Sequence, residues 1–202
     1  MSVVSSTAAA TLRQAVILVF NRIATDTSTA SIPLSLPTDP PTELMLTPSA
    51  MDAFNVLSDL CLLTGASGGS GISLWRTGEK EKPVILRLSS LQRTFGLELI
   101  ESILSGYEEG VKQRPELLFL LSHSLDPLLL KLQGEKPTFA IALRVCRLIF
   151  LLIRSFTDQM PLEIETYLIS LIRLGMGDAE EESKKDHVAP WLRVMALEIL
   201  RA

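Results

Sequence analysis

The stretch VILRLSSLQRTFGLELIESIL, residues 84–104, decides how this chain is expected to fold. Wound at about 100° per residue, it places Arg87, Thr94, Glu98, Glu101 and Ser105 on one narrow ridge. Nearly all of the remaining circumference is apolar or small. A helix wrapped by hydrophobic residues on three sides has to pack against several neighbours. The pattern therefore predicts a central helix over 84–104, surrounded by others.

Downstream, prolines stand at one helix start after another. Pro115 opens a helix that Asp126-Pro127 is expected to break into two short pieces. Pro137 opens the next, running to about Phe156, with Phe139, Leu143, Cys146, Ile149, Phe150 and Ile153 predicted to face inward. Pro161 starts another, with Ile164, Tyr167, Leu168, Leu171 and Ile172 inward, and Gly175 and Gly177 stop it. A charged loop follows over 178–186, where helix is disfavoured. Pro190 begins a last helix, Trp191 to Ala202, in which Trp191, Val194, Met195 and Ile199 share a side.

Upstream, Thr47 as N-cap and Pro48 at the first helical position announce a helix that ends at Gly65. Ala50, Ala53, Phe54, Leu57, Leu60 and Cys61 fill its inner face, while Asp52, Asn55 and Asp59 are expected to face away. Residues 65–73 are glycine-rich but lack the Lys-Ser/Thr pair of a phosphate-cradling loop, which leaves a surface loop. Residues 25–48 hold Pro33, Pro37, Pro40, Pro41 and Pro48 among Ser and Thr, and read as a linker or unpacked loop. Thr11 to Ile23 carries one apolar stripe and reads as a helix closing a preceding unit. Nothing alternates with period two for long enough to predict a sheet. The fold class is all-α, an irregular armadillo/HEAT-like α-solenoid without a fixed sequence repeat. Its pattern is expected to continue beyond 202.

Composition agrees. The 202 residues are 47% hydrophobic and 21% charged, enough apolar material for a packed core. Leucine supplies 37 of them and aromatics only 5%, which favours helix over strand. A net charge of −4 argues against general nucleic-acid binding, since phosphate contacts need a basic surface. Cys61 and Cys146 lie in apolar helical segments and read as core residues of a protein in a reducing, intracellular setting. The N-terminus has no signal-peptide pattern, and no apolar run reaches the roughly 18 residues that span a bilayer, so a soluble chain is expected.

Chemistry is sparse. His123 and His187 are the two histidines, one in an apolar helix and one in a charged loop. No H-E-x-x-H, C-x-x-C, G-x-S-x-G or G-x-G-x-x-G stands in a suitable context. Glu163 and Glu165 fall on different helical faces. No catalytic, metal or cofactor site is expected. Two features read as candidate contacts for a partner. Arg144, Arg147 and Arg154 fall within roughly 80° on one helix, and a three-arginine stripe is either a plain solvated face or a receiver for an acidic protein or a lipid headgroup. Trp75 can serve as an exposed anchor, or fold back to cap the helical core.

Three stretches carry a family resemblance: Ala53-Phe-Asn-Val-Leu-Ser-Asp-Leu-Cys-Leu-Leu-Thr64, the segment from Leu88 to Leu104, and Pro190-Trp-Leu-Arg-Val-Met-Ala-Leu-Glu-Ile-Leu-Arg201. Their order and spacing resemble the N-terminal regulatory region of the large Sec-seven-type Arf exchange factors, and most closely its Mon-two branch. In that architecture a dimerisation and cyclophilin-binding (DCB) unit precedes a "homology upstream of Sec-seven" (HUS) unit. The resemblance implies that residues 1–24 are the last helix of a DCB-like unit, 25–47 a linker and 48–202 a HUS-like armadillo-type domain. The Asn-aromatic-Asp-Cys-Asp box of catalytically active members is missing, which favours the Mon-two branch. That branch implies a non-catalytic scaffold in Golgi and endosome traffic, cytoplasmic and peripheral to membranes. It docks Arf-like small GTPases and Dopey-family proteins, with self-association possible and no cofactor, nucleic acid or small-molecule substrate. The alternatives are an autoregulatory region of an active Arf exchange factor and a generic HEAT-type adaptor.

Overall fold

The computed structural model describes residues 3–66, 82–89, 91–135, 137–176 and 190–201. It is a predominantly helical, all-α chain that groups into two compact units, residues 1–128 and 129–202.

The first unit is built around α2 (Pro48–Ala66), flanked by α1 (Val3–Thr25), α3 (Arg93–Gly106) and, after the short α4 (Glu108–Lys112), α5 (Pro115–Leu120). The Thr47 hydroxyl accepts the Ala50 amide at 3.3 Å, the expected N-cap. The expected inner face of α2 is buried from Ala50 to Cys61, but so are Val56, Leu63, Thr64 and Gly65. Burial on nearly every side makes α2 the central helix of this unit, the place the sequence assigned to 84–104. Gly96 on α3 permits the close approach. A Cβ there would drive into Thr64 Oγ1 and lie 3.1 Å from both Thr64 Cβ and Leu91 Cδ2.

Helix α3 starts only at Arg93, so the predicted helix over 84–104 loses its first nine residues. Asp59 is the reason. Expected to face solvent, it is 2% exposed and accepts the amides of Val84, Ile85 and Leu86 at 2.8, 2.7 and 2.8 Å. Three amides held by one carboxylate fix 84–86 in an irregular turn, and Pro83 before them has no amide to give. The polar ridge survives on the helical remainder. Arg13 of α1 pairs with Glu98 and lies 5.6 Å over the Phe95 ring. Tyr107, after α3, donates its hydroxyl to α1 at Asn21 Oδ1 (2.8 Å) and Ile17 O (3.1 Å).

The proline-rich stretch is not an unpacked loop. It contains an antiparallel hairpin, β1 (Ile32–Leu36) and β2 (Thr42–Leu46), pairing Ile32 with Leu46 and Leu34 with Leu44. Leu36 and Leu46 are buried. In a two-stranded sheet each strand is an edge, so Pro33 costs the ladder nothing on its outward side. Pro37, a cis Asp39–Pro40 bond and Pro41 form the connection, where Thr38 Oγ1 donates to Pro40 O at 2.7 Å.

Asp126-Pro127 does not break the chain either. Between α5 and α6 (Asp126–Gly134) lies a single π-helical turn, Leu121–Leu125, and the Asp126 amide reaches back to Leu121 O. A proline in a regular helix clashes with the carbonyl four residues earlier; the wider turn relieves that clash at His123.

The second unit contains α7 (Phe139–Ser155), α8 (Pro161–Met176) and α9 (Pro190–Arg201), with α8 and α9 packed closely and α7 against both. Ala142, Val145, Cys146, Leu148, Ile149 and Leu152 of α7 are buried, as are Ile164, Tyr167 and Leu171 of α8. Against expectation, Phe139 is 56% and Leu143 38% exposed, while Phe150 and Ile153 are half-buried. The true inner face of α7 is rotated by roughly 90° from the predicted one at 100° per residue. Leu168 and Ile172 of α8 are likewise exposed.

Candidate functional site

The rotation of α7 creates the site. With its inner face centred near Val145 and Ile149, the strip Leu143–Cys146–Phe150 turns toward α9. There Val194, Met195 and Ile199 complete an open, almost wholly apolar cavity of about 340 Å3. Arg147 stands on the α7 wall and Glu198 on the α9 wall. Beneath it, Ala142, Cys146 and Leu192 form a small core joined by Leu174, Trp191, Met195 and Ile199. Phe139 and Trp191 meet edge to face, with centroids 5.2 Å apart and planes at 74°. An apolar depression left open to solvent, carrying one cation and one anion on opposite walls, is suited to binding and orienting an apolar segment.

Cys146 lies at the floor. Burial pushes its thiol up to about 11, so it is protonated and a poor nucleophile at neutral pH. Cys61, in the first unit, is pushed up to about 12 by the same cause. Both are unbridged and buried, as the sequence predicted. Among the described residues, no cluster of three or more His, Cys, Asp and Glu could hold a metal ion, and no helix is long and apolar enough to cross a membrane.

A larger cavity, about 620 Å3, lies within the first unit between Phe20 and Ile23 of α1 and the segment 105–117. Its polar walls are committed to the fold. Tyr107 is bonded to α1, Lys112 pairs with Glu108 at 2.6 Å, and Arg114 donates to Ile23 O at 3.4 Å. The α7–α9 groove has an almost wholly apolar floor and is the candidate taken up below.

Of the contact residues predicted from sequence, Arg147 lines this groove and is exposed. Arg154 is exposed and Arg144 half-buried on the same helix, outside the lining. Trp75 lies outside the described residues. The sequence reading missed Leu143 and Phe150, which it assigned to the core. On α9 it did group Val194, Met195 and Ile199, but as a packing face.

The groove lies within a longer stretch that matches a known family. The family described as "Mon2/Sec7/BIG1-like, HUS domain" matches residues 49–202. The chain belongs to the HUS domain family. Its similarity extends over nearly its full length to the protein MON2 homologue of Xenopus laevis, at 31% identity over 98% of this chain. The human MON2 homologue is 29% identical over 98% of the chain, and Saccharomyces cerevisiae MON2 is 26% identical over 98%. The chain spans only 12% of the frog and human proteins and 11% of the yeast one. No solved structure matches it.

Proposed function

We propose that this chain is a non-catalytic docking segment of a Mon2-type membrane-trafficking protein, an irregular armadillo-like stack of helices whose surface receives protein partners. The partners are Arf-like small GTPases and Dopey-family proteins, engaged in the cytoplasm at the periphery of Golgi, trans-Golgi network and endosome membranes. The observation that carries this reading is the open apolar groove between α7 and α9, inside the region matched to the HUS family. Residues 1–24 supply the last helix of a DCB-like unit, 25–47 the connection and 48–202 the HUS-like domain. Trp75 and the arginines of α7 are its contact residues.

The test uses the immobilised 202-residue chain with purified Arf-like GTPases, each loaded with GDP or a GTP analogue, and a purified Dopey-family protein. Retention of at least one partner, with no acceleration of fluorescent nucleotide release, is expected. Rate enhancement that survives repurification contradicts the non-catalytic reading, and retention of none contradicts docking. A second reading, an autoregulatory region of a large Arf exchange factor, is supported by the Sec7 and BIG1-like members in the same family description. A Sec-seven catalytic domain encoded downstream of Ala202 decides for it.

A further inference from the structure

We propose that the free edge of β2 takes an extended, lysine- or arginine-bearing segment of a partner protein as a third strand of the hairpin. The proposal concerns the first unit alone and is independent of the α7–α9 groove.

The two edges of the hairpin are not alike, and Pro33 makes the difference. In an antiparallel ladder, pairs that exchange both main-chain bonds alternate with pairs that exchange none. Pro33 has no amide to exchange, so Pro33–Met45 is a pair of the second kind, and the register makes Ser35–Glu43 another. At these positions the main chain of each strand turns outward. On β1 the outward edge holds a proline and presents one amide, that of Ser35. On β2 it presents the amides and carbonyls of both Glu43 and Met45, two residues apart, the spacing at which an added strand pairs. Among the described residues, no other main-chain group takes up either amide. Both residues are exposed, Met45 at 64%. One edge is blunted against pairing by its proline, and the other is open to it.

Charge identifies the occupant. Between Arg22 and Arg76 the sequence has no Lys, Arg or His, while it carries Asp26, Asp39, Glu43, Asp52 and Asp59. Asp59 is buried and holds the amides of 84–86. Glu43, on the edge itself, and Asp39, in the connection, are both exposed. An edge bordered by carboxylates alone selects a strand that sets a cation opposite Glu43, with an apolar residue on the face of half-buried Leu44. The same charges argue against a second copy, since pairing β2 with β2 would bring two acidic hairpins together.

The experiment uses the full 202-residue chain and ten-residue fluorescent peptides in which valine alternates with lysine, glutamine or glutamate. A fourth peptide is the valine–lysine one, N-methylated on its central Lys-Val-Lys amides, which keeps the side chains and removes the main-chain donors. The lysine peptide is expected to bind about tenfold tighter than the glutamate peptide, with glutamine between them. Its N-methylated form should not bind. Amide exchange at Glu43 and Met45 should slow on binding. The Asp39→Lys, Glu43→Lys double variant should invert the order of the lysine and glutamate peptides. Met45→Pro, which removes an edge donor, should abolish binding. The double variant changes two exposed side chains and carries the test if Met45→Pro loses the hairpin. Equal binding of the lysine and glutamate peptides, or binding of neither, overturns the proposal. So does undiminished binding of the N-methylated peptide, or unchanged exchange at Glu43 and Met45. A concentration-dependent dimer that Met45→Pro dissolves overturns it in favour of pairing between copies.

Discussion

Gly96→Ala probes the contact on which the first unit is built. The added Cβ meets Thr64 Oγ1 well inside van der Waals contact, with Thr64 Cβ and Leu91 Cδ2 each at 3.1 Å. Overpacking of a tight core costs up to about 3 kcal/mol. Replacing glycine by alanine inside a helix returns about 1 kcal/mol, so the net loss should be about 2 kcal/mol. Thr64→Ala removes the obstructing oxygen, which is buried and has no hydrogen-bond partner among the described residues. Alone it should change stability by less than about 1 kcal/mol, because deleting an unsatisfied hydroxyl offsets the lost methyl contact. Combined with Gly96→Ala it should recover most of the loss, leaving only the 3.1 Å contact to Leu91, a flexible side chain. The measurement is a double-mutant cycle by urea unfolding followed by circular dichroism. A coupling of about 1.5 kcal/mol is expected. Losses that add to within about 0.5 kcal/mol would refute the α2–α3 packing.

Other perturbations follow from the same structure. Asp59→Ala should destabilise by about 3 kcal/mol, since three amides lose a charged acceptor and water restores part of it; Asp59→Asn, which keeps one acceptor oxygen, should cost about half. Equal stability of both variants and wild type would contradict the clasp. Phe156, fully buried, should cost about 3–5 kcal/mol when replaced by alanine, and half-buried Phe150 only about 1–2, a contrast read from denaturation midpoints. The two thiols set a pH dependence. Cys61 and Cys146 hold their protons to about 12 and 11 when folded, against an ordinary 9.0. The folded state therefore binds more protons at high pH, and stability is intact below pH 9 and declines as pH rises toward 11. A Cys61→Ala, Cys146→Ala chain should show a flatter decline over that window.

How much of this was legible in the sequence depended on which signal dominated locally. Thr47-Pro48 and the proline-started helices α5, α8 and α9 were readable because capping chemistry is local. The hairpin was hidden by weighting prolines over pattern, although Ile32, Leu34 and Leu36 alternate opposite Leu44 and Leu46. The late start of α3 could not be read from 84–104 alone, because the carboxylate that holds 84–86 sits on α2. Asp126-Pro127 misled because a π turn accommodates a proline that a regular helix rejects. On α7 the error was one of phase. Nearly continuous hydrophobicity from Leu148 to Ile153 leaves the inward direction undetermined until neighbours are placed. That same ambiguity concealed the groove, whose floor residues look like core.

The measurement that bears most directly on the docking groove is amide hydrogen exchange of the 202-residue chain, alone and saturated with a captured Arf-like GTPase or Dopey-family protein. Protection concentrated in 143–150 and 194–199, lost together with binding in Val194→Asp, is the predicted result. Protection confined to the first unit, with 143–150 and 194–199 exchanging as in the free chain, would contradict it.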